Sequence, residues 1–211
     1  MFIDLIKIVN FIRSSFKDIG SLGEKNERKK AILEILKTYF LLLDVANDGE
    51  LLLKKAGSNP VRLIEDLPPE QAIKRVDDWD LILRKQGVRL NIAQSYISSQ
   101  SCLAVFSPET VEKIGKVIGY KMDRLVNLHA IGAILFFRNM FPSEETEKTK
   151  AELVTLVLSK QESGQIDVSK IQSEIDELKL ALAGYRTFLE QAVTRAEIVA
   201  LSDQARNETK M

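Results

Sequence analysis

Apolar residues recur at steps of three and four along most of the chain, and that spacing predicts helices. Phe2, Leu5, Ile8, Val9, Ile12, Phe16 and Ile19 make one apolar face, so a first helix is expected over Phe2–Ile19. Ile35, Tyr39, Leu42, Ala46, Gly49, Leu53 and Ala56 share a face of a second helix over Glu24–Ala56. The pattern continues as a short helical turn at Pro60–Asp66 and a third helix over Pro69–Val105, with a bend expected at Gly87. A fourth is read over Pro108–Met140, a fifth over Glu144–Glu162 and a long sixth over Ser169–Ala205. The sixth has the most regular seam. Ile171, Ile175, Leu178, Leu182, Tyr185, Leu189, Ala192, Ala196 and Val199 alternate steps of four and three, as in a coiled coil. No segment alternates β-branched and polar residues with period two, so no sheet is expected. The expected fold is all-α: an elongated antiparallel bundle of about five or six helices, several of them long. Residues 1–20 are read as an amphipathic helix on or beside the bundle, and residues 21–211 as one helical-bundle domain.

Punctuation along the chain agrees with these limits. Pro60, Pro68, Pro69, Pro108 and Pro142 all fall near helix starts, where a missing N–H leaves no hydrogen bond unmade. Ser21 with Glu24, and Ser169 with Gln172, have the spacing of a capping box. Gly20, Gly57 and Gly164 stand where helices should stop. The last ten residues, SDQARNETKM, are polar and are expected to fray.

The stretch LLLDVANDGELLLKK, residues 41–55, tests whether the second helix is continuous. Asp44, Asp48 and Gly49 match positions one, five and six of a helix–loop–helix calcium loop. Such a loop needs oxygen ligands at position three and a bidentate glutamate at position twelve. Those positions hold Ala46 and Lys55. An alanine gives no oxygen and a lysine opposes the metal, so the expectation is an uninterrupted helix in which Gly49 is a small contact point. The competing reading is a turn at Asn47-Asp48-Gly49.

Composition narrows the chemistry. The 211 residues carry 30 basic and 30 acidic side chains, and 45% are hydrophobic. That is enough apolar material for a sizeable core, and the charge balance disfavours a nucleic-acid partner. One cysteine, Cys102, excludes an internal disulfide and fits a reducing, cytoplasmic setting. One histidine, His129, is too few for a Cys/His zinc site or for the paired Glu-x-x-His motifs of di-iron bundles. Neither of the usual glycine-rich phosphate loops occurs. No cofactor, metal or small-molecule substrate is therefore expected. The N-terminus lacks the basic leader of a secretory signal, and the apolar run Leu125–Phe137 is too short to span a bilayer.

A few residues invite functional readings beside simpler ones. His129 shares a face with Met122, Leu125, Gly132 and Phe136 and reads as a hydrogen-bonded core residue. Cys102 reads as a small buried hydrophobe. Gly115-x-x-x-Gly119 reads as a close helix contact, and the nearby Lys113, Lys116, Lys121 and Arg124 as a solvated face. Trp79, in step with Val76 and Leu83, reads as a core anchor among acidic neighbours. The first helix is less easily closed. Phe2 lies on its apolar face, while Ile3, Ile6 and Phe11 fall among polar positions, and a helix packed on one side would leave them wet. Phe2, Ile3, Ile6 and Phe11 are thus the candidate interface. The expectation is a non-enzymatic interaction module, a regulatory or scaffolding subunit that binds a protein partner or a second copy. The alternative is a membrane-surface effector, cytoplasmic and peripheral, whose first helix docks on a bilayer.

Overall fold

The computed structural model describes residues 2–15, 25–59, 63, 67–99, 167–190 and 193–210. These residues form five helices and no strand: α1 (Phe2–Ser15), α2 (Lys25–Ala56), α3 (Pro69–Ile97), α4 (Val168–Leu189) and α5 (Arg195–Thr209). None is long and apolar enough to cross a membrane.

The 32-residue α2 is the central rod; α3, α4 and α5 all pack on it, and α1 packs on α4. Side-chain contacts give the directions. Lys37 lies 4.9 Å from the Tyr96 ring centre, Gln86 donates to the Val45 carbonyl at 3.0 Å, and Lys55 pairs with Asp78 at 3.4 Å, so α3 runs against α2. Lys179 pairs with Glu50 at 2.6 Å, and the Tyr39 and Tyr185 ring centres are 6.2 Å apart, so α4 also runs against α2. Lys29 pairs with Glu197 at 2.8 Å and Lys37 with Glu208 at 2.7 Å, so α5 runs along α2.

The core lies where these helices converge. α1 contributes Leu5, Ile8, Val9 and Ile12, and α4 contributes Ile175, Leu178, Leu182, Tyr185 and Leu189. The predicted face of α2 is buried at Ile35, Leu42, Ala46, Gly49 and Ala56. Leu36, Leu41 and Val45 are buried as well, because a rod with three neighbours is covered on more than one side. Each such aliphatic side chain removed from water is worth about 1.5–3 kcal/mol. α2 runs unbroken through Gly49, and the turn at Asn47–Gly49 does not form. It stops at Gly57, whose φ of 60° suits only glycine well and whose N–H donates to the Leu53 carbonyl at 2.9 Å. Pro69 begins α3, as its missing N–H allows. Trp79 is wholly buried, as its spacing predicts.

Four expectations need correction. The long sixth helix is two helices: α4 ends at Leu189, and α5 starts beyond Thr194 and runs in the opposite sense along α2. The break is fixed by a capping box. The Thr194 hydroxyl accepts from the Glu197 N–H at 3.3 Å, and the Glu197 carboxylate accepts from the Thr194 N–H at 3.2 Å. The seam therefore does not continue into α5, where Ala196 and Val199 are exposed while Ile198, Ala205 and Thr209 are buried. Second, the polar C-terminal stretch does not fray; it is helical to Thr209 and docked on α2. Third, the start of α4 is capped by Asp167, which accepts from the Lys170 N–H at 2.9 Å, rather than by Ser169. Gln172 instead bonds Asp176 at 3.0 Å and Glu50 at 3.4 Å. Fourth, α3 ends at Ile97, short of Val105. The predicted helices over 108–140 and 144–162, and nearly all of the 60–66 turn, lie outside the described residues. So do residues 16–24, with the predicted Gly20 stop and the Ser21–Glu24 cap, and also Gly164, Cys102, His129 and the Gly115–Gly119 motif.

Candidate functional site

Charged residues set inside apolar runs are costly unless paired, and α2 carries several. Lys37, Asp44 and Asp48 interrupt its apolar faces, and each meets a partner from another helix. Arg89 of α3 donates to Asp48, and its Nε faces Asp44 at 3.8 Å, an ion-pair distance too long for a hydrogen bond. Arg206 of α5 donates to the same Asp44 oxygen at 2.8 Å and lies 5.3 Å from the centre of the Phe40 ring. Asp44 and Asp48, one turn apart, are thus bridged by a guanidinium from α3 and held at one end by a second from α5. The space a cation would take between the two carboxylates is occupied by Arg89. Among the described residues no group of three His, Cys, Asp or Glu side chains is placed to hold a metal.

A second charged cluster lies two turns toward the start of α2. Lys37 pairs with Glu34 at 3.2 Å and Glu208 at 2.7 Å, with the Tyr96 ring beside it. Burial pulls the Lys37 pKa down, but the hydrogen bonds and charges of Glu208 and Glu34 outweigh it and hold the group above the ordinary lysine value. The Glu208 carboxyl is held below its ordinary value chiefly by its hydrogen bond from Lys37. Glu197, at the other end of α5, is lowered to about 2, first by the Lys29 hydrogen bond and then by those from Thr194.

Between these clusters α2, α4 and α5 leave a half-open pocket of about 270 Å³. Leu36, Tyr39 and Phe40 form one wall, Tyr185 and Leu189 a second, and Ile198 and Val199 a third, with Ser202 and Asp203 at the polar side. Tyr39 meets Phe40 edge-on with ring centres 5.1 Å apart. Beside the pocket α5 meets α2 through ion pairs and through the buried Ile198 and Ala205, with Leu201 partly buried against the core.

The candidate interface residues are placed unequally. Ile3 is 45% exposed. Ile6 and Phe11 are half-buried and pack against the core cluster. Phe2 begins α1, and its side chain is not among those described. Leu5, Ile8, Val9 and Ile12, on the inner face of α1, lie in the core. Sequence reasoning missed the partners Arg89, Arg206 and Glu208. The signal available was Lys37, Asp44 and Asp48 within the apolar faces of α2, which demand opposite charges from elsewhere, and the Thr194-x-x-Glu197 spacing. No protein-family model, no curated protein and no solved structure matches this chain.

Proposed function

We propose that the protein is a non-enzymatic helical interaction module, a regulatory or scaffolding subunit of a protein complex, built as an elongated antiparallel bundle of five or six helices. The observation that carries this reading is the double use of α1. Leu5, Ile8, Val9 and Ile12 are buried in the core, and Ile3 still stands exposed at the outer edge, with Ile6 and Phe11 half-buried behind it. Elsewhere in the bundle the charged groups of the inter-helix contacts bind one another: Lys29, Lys37, Asp44 and Asp48 answer Glu197, Glu208, Arg206 and Arg89. This is a framework that holds surfaces in place. Phe2, Ile3, Ile6 and Phe11 are the proposed contact surface, and a partner protein in the cytoplasm is the proposed occupant.

Removing α1 would take four buried side chains from the core, so a point substitution is the cleaner test. Ile3→Glu changes an exposed position and should leave stability within about 0.5 kcal/mol. Tagged wild-type and Ile3→Glu chains, recovered from the native cell, should differ by loss of one stoichiometric protein. Identical partner sets at unchanged stability would reject the reading. If Ile3→Glu instead abolishes flotation with anionic liposomes, α1 is a membrane-surface helix.

A further inference from the structure

The α4–α5 turn joins two segments whose apolar seam is continuous in sequence but not in space. The seam residues Ile175, Leu178, Leu182, Tyr185 and Leu189 are buried in α4, whereas Ala196 and Val199, the next described members of the seam, are exposed in α5, Val199 at 52%. The residues between, Glu190 to Val193, include neither glycine nor proline. One helical bond spans the junction, the Val193 N–H donating to the Leu189 carbonyl at 3.3 Å, and α5 opens directly afterwards with the Ile198 N–H donating to the Thr194 carbonyl at 3.0 Å. A continuous helix through this region is therefore a close alternative to the turn, held off chiefly by the Thr194–Glu197 capping box and by the docking of α5.

That docking is specific in charge and thin in apolar contact. Ile198 and Ala205 are the buried apolar residues of α5, and Lys29–Glu197, Lys37–Glu208 and Asp44–Arg206 fix its register on α2. The seat, bounded by α2 and α4, thus has one ligand whose complementarity is demonstrated, namely the sequence of α5 itself. We propose that this groove accepts the α5 of a second copy, two chains exchanging their C-terminal helices when the α4–α5 turn straightens. Every contact α5 makes on its own α2 is remade on the partner's, so the exchange costs little beyond association. Straightening also returns Ala196 and Val199 to the seam that begins in α4. This surface is separate from Ile3 and stands whether or not α1 binds a partner.

Charge reversal across the seat distinguishes exchange from any other self-association. Lys37→Glu alone and Glu208→Lys alone place like charges at the seat in both the closed chain and its homodimer. In a mixed dimer with exchanged helices, one seat regains the native Lys37–Glu208 pair. The other seat brings the two substituted side chains together, an ion pair of reversed polarity. Light scattering after size exclusion should therefore show dimers in the equimolar mixture at concentrations where each variant alone is monomeric. A mixture that stays monomeric, or that dimerises no more than its components, overturns the proposal. A second pair of variants leaves the seat intact and covers the case of poor folding. Thr194→Ala removes the cap and should raise the dimerisation constant about fivefold or more. Val193→Pro removes the donor to Leu189 and bars a continuous helix, and should leave only monomer. Unchanged dimerisation in both variants overturns the proposal equally.

Discussion

Replacing Arg89 by methionine takes the guanidinium from between Asp44 and Asp48 while keeping most of the side-chain volume. The Asp44 and Asp48 side chains are only 12% and 17% exposed, so neither carboxylate is well placed to recover water. Removing one member of a buried pair costs about 3–5 kcal/mol, because the other charge stays behind unneutralised. Asp44 retains Arg206 at 2.8 Å, so the expected cost lies at the low end, about 3 kcal/mol. For a chain of this size that lowers Tm by about 6–12 °C. Asp48→Leu should be costly too, since it leaves the buried Arg89 with only the 3.8 Å approach to Asp44. The double variant Asp48→Leu/Arg89→Met removes both charges together. It should lie within about 1 kcal/mol of wild type, as apolar replacements of buried pairs usually do. The coupling between the two sites, the two single losses less that of the double variant, should then be at least about 3 kcal/mol. Urea unfolding followed by circular dichroism at 222 nm, with unchanged m-values, gives all four corners of the cycle. Additive losses in the double variant, or an Arg89→Met indistinguishable from wild type, would refute the placement of Arg89 between the two carboxylates.

Other predictions follow from particular contacts. The Glu197 carboxyl has its pKa lowered from 4.5 to about 2 in the fold, so its stabilisation is present above about pH 4.5 and lost as pH falls through about 2. The Tm advantage of wild type over Glu197→Gln should accordingly be steady at neutral pH and vanish between those limits in acid melts. Gly57→Ala forces an alanine to φ 60° and should destabilise by about 1 kcal/mol. Gly184→Ala puts a Cβ 2.7 Å from Arg13 Nη1, the far end of a flexible side chain, so Arg13 moves aside and the helix gains about 0.5–1 kcal/mol. Chemical denaturation of both variants checks that the signs are opposite.

Much of the helical framework was legible because local signals agreed. α2 survives the Asn47-Asp48-Gly49 sequence because apolar residues on both sides of it continue in phase, and packing on three neighbours exceeds the roughly 1 kcal/mol penalty of Gly49. Pro69 and Gly57 mark ends through backbone chemistry that needs no tertiary information. The break at Thr194 was hidden because the seam continues in phase beyond it. A capping box of about 1 kcal/mol decides the matter only together with docking on a helix far away in sequence. The docked C-terminus was hidden for the same reason. Arg206 and Glu208 look like surface charges until α2 brings Asp44 and Lys37 beneath them. Arg89 could be foreseen only in kind, since two aspartates on an apolar helix call for a cation without naming which one. The pocket was not legible, because it is a gap between surfaces and depends on how α5 meets α2.

The docked α5 underlies the corrected architecture, the pocket and the exchange alike. Hydrogen–deuterium exchange of peptides covering residues 195–209, in dilute chain at pH 7 and low salt, tests it directly. Amides of α5 should be protected well below random-coil rates, less than those of α2, with protection falling as added salt screens Lys29–Glu197 and Lys37–Glu208. Exchange at random-coil rates throughout 195–209, with α2 still protected, would contradict the account.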